Sequence, residues 1–323
     1  MDQAGRTMTA TAKSCWCYVV NEGYLLPALV SATQLRSHLH ERADDILVVC
    51  IGEETDVTRA AARVGREHGI EVVVAPLSLL KGLPMYCARL FLCDVLDGRG
   101  YDFVTYADAD TQFVGDLGDL AAAQPRAGSL LAVPDIMSMT INHPSKALNG
   151  CKAYFDKIGI PPRNQRIYFN TGVMKFRSSD WGAISRECLQ VMGRRQVSDF
   201  LYPDQDALNI VMDGNQTLAS FRWNYPAFFI GRKLDDIVAP SIVHFMSRPR
   251  PWDGPFPPWG RPAFQPYLTF VEAHPDFAHL LKPARNVRLV RYMLQQAYKQ
   301  ATESWGSEFF RSRIAQFEST AFV

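Results

Sequence analysis

The 323-residue sequence has no long hydrophobic run, no surplus of one charge, and none of the short motifs that identify a dinucleotide, P-loop or hydrolase site. Each absence excludes something. Apolar stretches such as Ile46–Ile51 fall far short of the ~18–20 residues that span a bilayer. Lys plus Arg number 34 and Asp plus Glu 33, a formal charge of +1. The clustered positive excess that a phosphate backbone demands is therefore missing, and nucleic acid is not an expected partner. No Gly-x-Gly-x-x-Gly follows the first strand, and no Walker A loop, Gly-x-Ser-x-Gly elbow or His-Glu-x-x-His is present. The seven cysteines (15, 17, 50, 87, 93, 151 and 188) include no Cys-x-x-Cys pair, which removes the common zinc and thiol–disulfide frameworks. Residues 1–14 lack the apolar stretch of a signal peptide and read as a flexible leader. Free thiols, no signal and no span together make a cytoplasmic location the expectation.

What the sequence does contain is a regular alternation. Cys15–Val20, Ile46–Gly52, Glu71–Ala75 and Phe103–Ala107 read as apolar strands, with helical patterns over Leu25–His38, Thr55–His68 and Tyr86–Leu96 between them. Strands apolar on both faces and separated by helices predict a parallel or mixed sheet covered on both sides. Ligands of such sheets bind beyond the carboxyl ends of the strands, which directs attention to the loops at Asn21 and Asp108. Leu131–Pro134 and Thr171–Phe176 are further expected strands, and Ser185–Gly193 an expected helix. Pro249–Pro266 holds seven prolines, which predicts an exposed loop or boundary without regular structure. Beyond it, Val287, Val290, Leu294 and Tyr298 share one helical face, spaced to dock on a neighbouring surface. Arg285, Arg288, Arg291 and Lys299 lie nearby, as a solvated face or as a contact for an anionic membrane or acceptor.

Chemistry concentrates in a few segments. Asp108-Ala109-Asp110 follows the strand Phe103–Ala107 directly. In an extended segment, carboxylates at i and i+2 project the same way, and at a strand end they can hold a hard divalent cation bridging to a diphosphate. Asp204-Gln205-Asp206 follows Tyr202-Pro203 and opens an apolar segment, where Asp204 reads as a helix N-cap. Tyr168-Phe169-Asn170-Thr171-Gly172 reads as a polar turn entering the strand Val173–Phe176. His244 follows Ser241-Ile242-Val243 and precedes Arg248, Arg250 and Trp252.

In this order, these segments resemble glycosyltransferase family 8, retaining enzymes of the GT-A fold, from about Cys15 to Gly254. The resemblance implies an α/β fold, a GT-A, Rossmann-like mixed sheet flanked by helices, to which the proline run and the apolar periodicity beyond it add a Pro-rich linker and a helical C-terminal extension. It implies a transferase domain over 15–255 and an appended segment over 256–323. Tyr18 to Tyr24, with Val20, Asn21 and Tyr24, looks like the loop that holds the nucleotide base and ribose. Tyr86-Cys87-Ala88-Arg89-Leu90 matches the family's Tyr-x-Arg-Leu element, whose arginine approaches the donor. Asp108, Ala109 and Asp110 match its metal-binding Asp-x-Asp, and Phe169-Asn170-Thr171-Gly172 its Phe-Asn-Ser/Ala-Gly turn. Asp204-Gln205-Asp206 matches its Asp-Gln-Asp, and His244–Trp252 its His-x-x-Gly-x-x-Lys-Pro-Trp segment. Two positions depart from that last pattern: Ser247 stands for Gly and Arg250 for Lys.

The function the resemblance implies is transfer of a hexose, glucose or galactose, from a UDP-sugar to an acceptor hydroxyl. A metal on Asp108, Asp110 and His244, helped by Arg250, would offset the leaving diphosphate's charge. Oxygen-rich ligation with one imidazole suits Mn2+ and tolerates Mg2+. Asp206 or Gln205 is expected on the open face of the sugar, and Asp204 on its hydroxyls. The alternative is a noncatalytic nucleotide-sugar- or glycan-binding relative. The acceptor stays open between a carbohydrate, a lipid-linked sugar, a polyol and a protein tyrosine.

Overall fold

The computed structural model describes residues 12–39, 42–143, 150–195, 197–230, 232, 234–303 and 307–321. The expected leader lies outside the described residues up to residue 11. The strands are β1 (Ser14–Val20), β2 (Asp45–Ile51), β3 (Glu71–Ala75), β4 (Phe103–Ala107), β5 (Thr111–Phe113), β6 (Leu130–Pro134), β7 (Phe169–Arg177), β8 (Thr217–Leu218), β9 (Tyr225–Pro226) and β10 (Ile242–His244). The helices are α1 (Leu25–His38), α2 (Asp56–Glu67), α3 (Leu92–Leu96), α4 (Gly118–Ala122), α5 (Ile136–Met139), α6 (Gly150–Ile158), α7 (Ser178–Gly193), α8 (Pro203–Met212), α9 (Gly260–Ala273), α10 (Asn286–Glu303) and α11 (Ser307–Glu318).

Seven strands form one mixed sheet in the order β3-β2-β1-β4-β7-β6-β8, and β5-β10-β9 form a small second sheet. The four strands β3, β2, β1 and β4 run parallel, and β7 runs against both β4 and β6. Alternation along β1 explains why its sequence is apolar throughout. Trp16, Tyr18 and Val20 enter the core under α1, while Cys15 and Cys17 enter the core on the other face with Leu47 and Val49. Burial pushes the Cys15 and Cys87 thiols up to about 12 and Cys50 to about 11, so these groups act as small hydrophobes.

Several local expectations change. Tyr86–Leu96 is not one helix but a 3-10 segment, Met85–Phe91, leading into α3. The polar turn expected at Tyr168–Gly172 is mostly strand, because β7 begins at Phe169. Its register slips there: Ala132 pairs with Met174 but Val133 with Asn170, so residues 171–173 bulge out beside the end of β4. The proline-rich stretch also contains regular structure. Helix α9 runs through Pro266, losing one backbone donor there, and is held by burying Ala263, Tyr267 and Phe270.

The largest correction concerns α10. Its expected docking stripe faces solvent, with Val287 82%, Leu294 67% and Tyr298 71% exposed. The face that docks is the opposite one, carried by buried Tyr292 and Gln296. Tyr292 meets Phe256 edge-on at 5.6 Å, and Gln296 Nε2 donates to Pro257 O at 2.6 Å. Tyr267, Phe270, Phe277, Phe310 and Ile314 share the buried cluster of Trp16 and α1.

Candidate active site

β4 ends at Ala107 and the chain turns at once. Thr111 N–H donates to Asp108 O at 3.2 Å, so Asp108–Thr111 is a tight turn into β5 rather than the extended run expected. The turn still brings both carboxylates to one point. β10 lies antiparallel to β5 and pairs His244 with Thr111. The candidate ligand atoms of Asp108, Asp110 and His244 consequently lie within 4.8 Å of one another. His244 Nε2 is 3.2 Å from Asp110 Oδ1 and 3.7 Å from Asp108 Oδ2.

A chain of hydrogen bonds orients the imidazole. Gly172 N–H donates to Asn170 Oδ1 at 2.8 Å, which identifies that atom as the amide oxygen. Asn170 Oδ1 also accepts from Asn224 Nδ2 at 2.9 Å, leaving Asn224 Oδ1 2.8 Å from His244 Nδ1. Nδ1 must therefore carry a proton, and Nε2 is the nitrogen left to face the carboxylates. Two carboxylates around an imidazole nitrogen with its partner nitrogen tied back is the donor set of a divalent cation, so the residues fit a metal. Gly172 is required at this place. A Cβ there would overlap the His244 ring at Cε1 and Nδ1.

Cations surround the same carboxylates. Arg250 Nη1 is 2.7 Å from Asp110 Oδ2. Burial raises Asp110, but Arg250 and His244 outweigh it and hold the carboxyl down at about 2. Arg89 is buried beneath Asp108. Its Nη2 donates to Asp108 Oδ1 at 3.0 Å and its Nη1 to Thr171 O at 2.6 Å. Its Nε lies 2.9 Å from Asp204 Oδ2 but is not aligned for a hydrogen bond, so that pair is an ionic contact. Burial works against the Arg89 charge, yet Asp108 and its neighbours more than compensate and the guanidinium stays protonated.

Helix α8 divides the second acidic triplet. Tyr202 occupies the N-cap position and Pro203 opens the helix, so Asp204 is a first-turn residue and not the cap expected. Asp204 and Gln205 border the main cavity. Asp206 does not: it is 0% exposed, and its oxygens accept from Tyr168 OH at 2.6 Å, from Tyr154 OH and from Tyr202 N–H at 3.0 Å. Burial raises both Asp204 and Asp206, against the opposing pull of Arg89 on the first and of the tyrosine hydroxyls on the second. Gln205 is held on both sides. Its Nε2 donates to Asp135 Oδ2 and to Tyr168 OH, both at 3.1 Å, and its Oε1 accepts from Thr171 N–H at 3.2 Å.

Two openings meet at this cluster. A cleft of about 310 Å3 is lined by Val20, Asn21, Tyr24 and Ala109. A cavity of about 850 Å3 is lined by Asn170, Asp204, Gln205, His244 and Ser247. Both are bordered by Tyr86, Arg89, Asp108, Asp110 and Arg250. Every expected site residue except Asp206 therefore lines one opening or the other. Sequence reasoning missed Asn224 and Asp135, which orient His244, Asn170 and Gln205, because neither sits in a recognisable motif. It also missed Gln296 and Gln300 of α10, which form part of the cavity wall together with Lys299. Lys299 Nζ donates to Ser247 Oγ at 3.2 Å, so a cation from α10 stands beside the position where the family pattern has Gly.

A family model, glycosyl transferase family 8, matches residues 15–254. No match to a curated protein was found. Among solved structures, the galactosyltransferase LgtC in complex with donor and acceptor sugar analogues is similar, with TM-score 0.63, 18% identity, and coverage of 83% of this chain and 100% of that one. The bifunctional glycosyltransferase WbbM gives TM-score 0.65 at 16% identity, covering 84% of this chain and 52% of that one. The glycosyltransferase GlyE of Streptococcus pneumoniae TIGR4 gives TM-score 0.57 at 17% identity, covering 85% of this chain and 66% of that one. At these identities the likeness is one of fold, and the fold is GT-A.

Proposed function

We propose that this chain, which belongs to glycosyl transferase family 8, is a metal-dependent, retaining hexosyltransferase that moves glucose or galactose from a UDP-sugar to an acceptor hydroxyl. One observation carries the reading. The carboxylates of Asp108 and Asp110 and Nε2 of His244 converge where a narrow cleft meets a wide cavity. A nucleoside diphosphate sugar has that layout: a flat base and ribose, a charged diphosphate, then a polar sugar.

Val20, Asn21, Tyr24 and Ala109 would hold the base and ribose in the cleft. Asp108, Asp110 and His244 would hold Mn2+, with Mg2+ tolerated, and a bound cation would offset the charge of the departing diphosphate. Arg250 adds a fixed cation beside Asp110, its planar fork replacing the point charge of Lys. Ser247 and Asn170 border the cavity and would bind the donor from its sugar side. Gln205, with its amide clamped by Asp135, Tyr168 and Thr171, is the group to stabilise the developing oxocarbenium charge, and Asp204 the group to bind sugar hydroxyls. Asp206 would act through Tyr168, accepting the hydrogen bond from that hydroxyl so that the hydroxyl oxygen is left to accept from Gln205 Nε2.

The acceptor class we favour is a carbohydrate, either lipid-linked or a small polyol, entering the cavity beside α10. A cytoplasmic location fits seven cysteines that are all free. UDP release from UDP-glucose and UDP-galactose, with Mn2+ present and after EDTA, tests the proposal. Metal-dependent release supports it. Donor binding by calorimetry without turnover on any nucleotide sugar would favour the noncatalytic alternative.

A further inference from the structure

The family model ends at residue 254, yet the last site segment inside it is gripped by a helix beyond it. Between His244 and Pro257 the chain leaves β10, borders both openings at Arg250 and leads to α9. Phe245 N–H fixes its start by donating to Asp110 O at 2.8 Å. Helix α10 holds the rest. Lys299 Nζ donates to Ser247 Oγ at 3.2 Å, Gln295 Nε2 to Arg248 O at 2.8 Å and Gln296 Nε2 to Pro257 O at 2.6 Å. Tyr292 packs edge-on against Phe256. Residues 292, 295, 296 and 299 are spaced i, i+3, i+4 and i+7, so one helix face makes all four contacts.

The grip falls where the segment is least able to hold itself. Ser247 and Arg248 are exposed, and Pro249 and Pro251 have no N–H with which to join a ladder. What this stretch carries is a fixed cation. Arg250 Nη1 is 2.7 Å from Asp110 Oδ2, and the guanidinium lies 5.8 Å from the Tyr24 ring and 5.5 Å from that of Trp252. Ser247, which departs from the family pattern, supplies the hydroxyl that receives Lys299, and a glycine could not. The departure therefore adds a contact to the site. We infer that Lys299 and Gln295 are positioning residues, which clamp the strap Ser247–Arg250 and so hold Arg250 at the junction of the two openings before any donor binds. The task of that cation at the donor rests on the transferase reading, whereas the clamp does not.

Lys299→Met and Gln295→Met roughly keep the length of each side chain and remove its N–H donor. The Arg250 and Asp253 amides donate to Asp253 Oδ2 and Arg250 O, both at 2.9 Å, and report on the strap by hydrogen exchange. In the protein without metal or nucleotide, each variant should quicken that exchange about fivefold. Lys299→Arg, which keeps a donor, should exchange like the wild type. Adding Ser247→Ala to Lys299→Met should quicken exchange no further, because the two changes remove one and the same bond. Affinity for UDP with Mn2+, measured by calorimetry, should weaken about fivefold in Lys299→Met. Both bonds are exposed, so the melting temperature should stay near the wild-type value. Unchanged exchange in both methionine variants overturns the clamp, as does a wild type in which these amides exchange without protection. Additive effects of Ser247→Ala and Lys299→Met overturn the pairing. Faster exchange with UDP affinity unchanged overturns the positioning role. A wild type that binds no UDP defeats the transferase reading instead, and hydrogen exchange then decides the clamp alone.

Discussion

Asp108-Ala109-Asp110 and Asp204-Gln205-Asp206 share a spacing and differ in everything that follows from it. The first sits in a turn between two strands, and its carboxylates converge with His244. The second sits in the first turn of α8, where residues two apart point to nearly opposite sides. Asp204 faces Arg89 and the cavity, whereas Asp206 faces Tyr154 and Tyr168 beneath the cavity wall. Titration separates them as well. Cations hold Asp110 down at about 2, while burial raises Asp204 and Asp206. A pair of carboxylates thus takes its role from the backbone that carries it and from the charges around it.

The comparison breaks or sharpens at specific residues. Asp110→Asn should have the largest effect, reducing UDP release by about 100-fold or more with the fold intact, because it removes charge and almost no volume. Steady-state kinetics with circular dichroism would check this, and full activity in that variant or in EDTA would end the metal assignment. Asn224→Ala should come next. It frees His244 Nδ1, so Mn2+ affinity measured by calorimetry should fall about 10–100-fold. The metal-free protein should lose about 1–3 kcal/mol because the buried partners of Asn224 are left unpaired. Gly172→Ala should match it, by displacing the ring.

Asp204→Asn should lower kcat by about tenfold with a smaller change in donor KM. Asp206→Asn is the sharpest comparison. It should cost about 1–3 kcal/mol of stability, by weakening hydrogen bonds to a buried charge, and leave donor affinity unchanged. A loss of kcat equal to that of Asp204→Asn would show that the Asp206–Tyr168–Gln205 chain governs the position of Gln205.

The smallest effect is on the acid limb of stability. Asp110 lies below its ordinary value of 3.8, so its contribution is present above that value and is lost as pH falls towards about 2. Asp204 and Asp206 lie above theirs, so they oppose the folded state when ionised and acid relieves them first. In metal-free urea titrations, Asp110→Asn should therefore flatten the loss of stability below about pH 4, and Asp206→Asn should not.

Much of the donor side was legible in the linear chain. The strands β1, β2, β3 and β4 are near-continuous apolar runs, and β1 and β4 end at Val20 and Ala107, beside the loops that line the cleft. Such features are local, because strand propensity, turn chemistry and the order of short motifs need no knowledge of distant neighbours. Periodicity likewise put Val287, Val290, Leu294 and Tyr298 of α10 on one face. What periodicity leaves open is which way that face turns. That choice depended on what Phe256 and Pro257 offered to Tyr292 and Gln296, and it sent the most apolar stripe outward. The same holds at the site. Nothing near Asp206 in sequence indicates Tyr154 or Tyr168, and nothing near His244 indicates Asn224, because each partner arrives from another element. Which side chains share a face was therefore determined by the sequence alone. Which of them meet water, a cation or a buried hydroxyl was decided only by the tertiary structure, since burial and hydrogen bonding are set by groups remote along the chain.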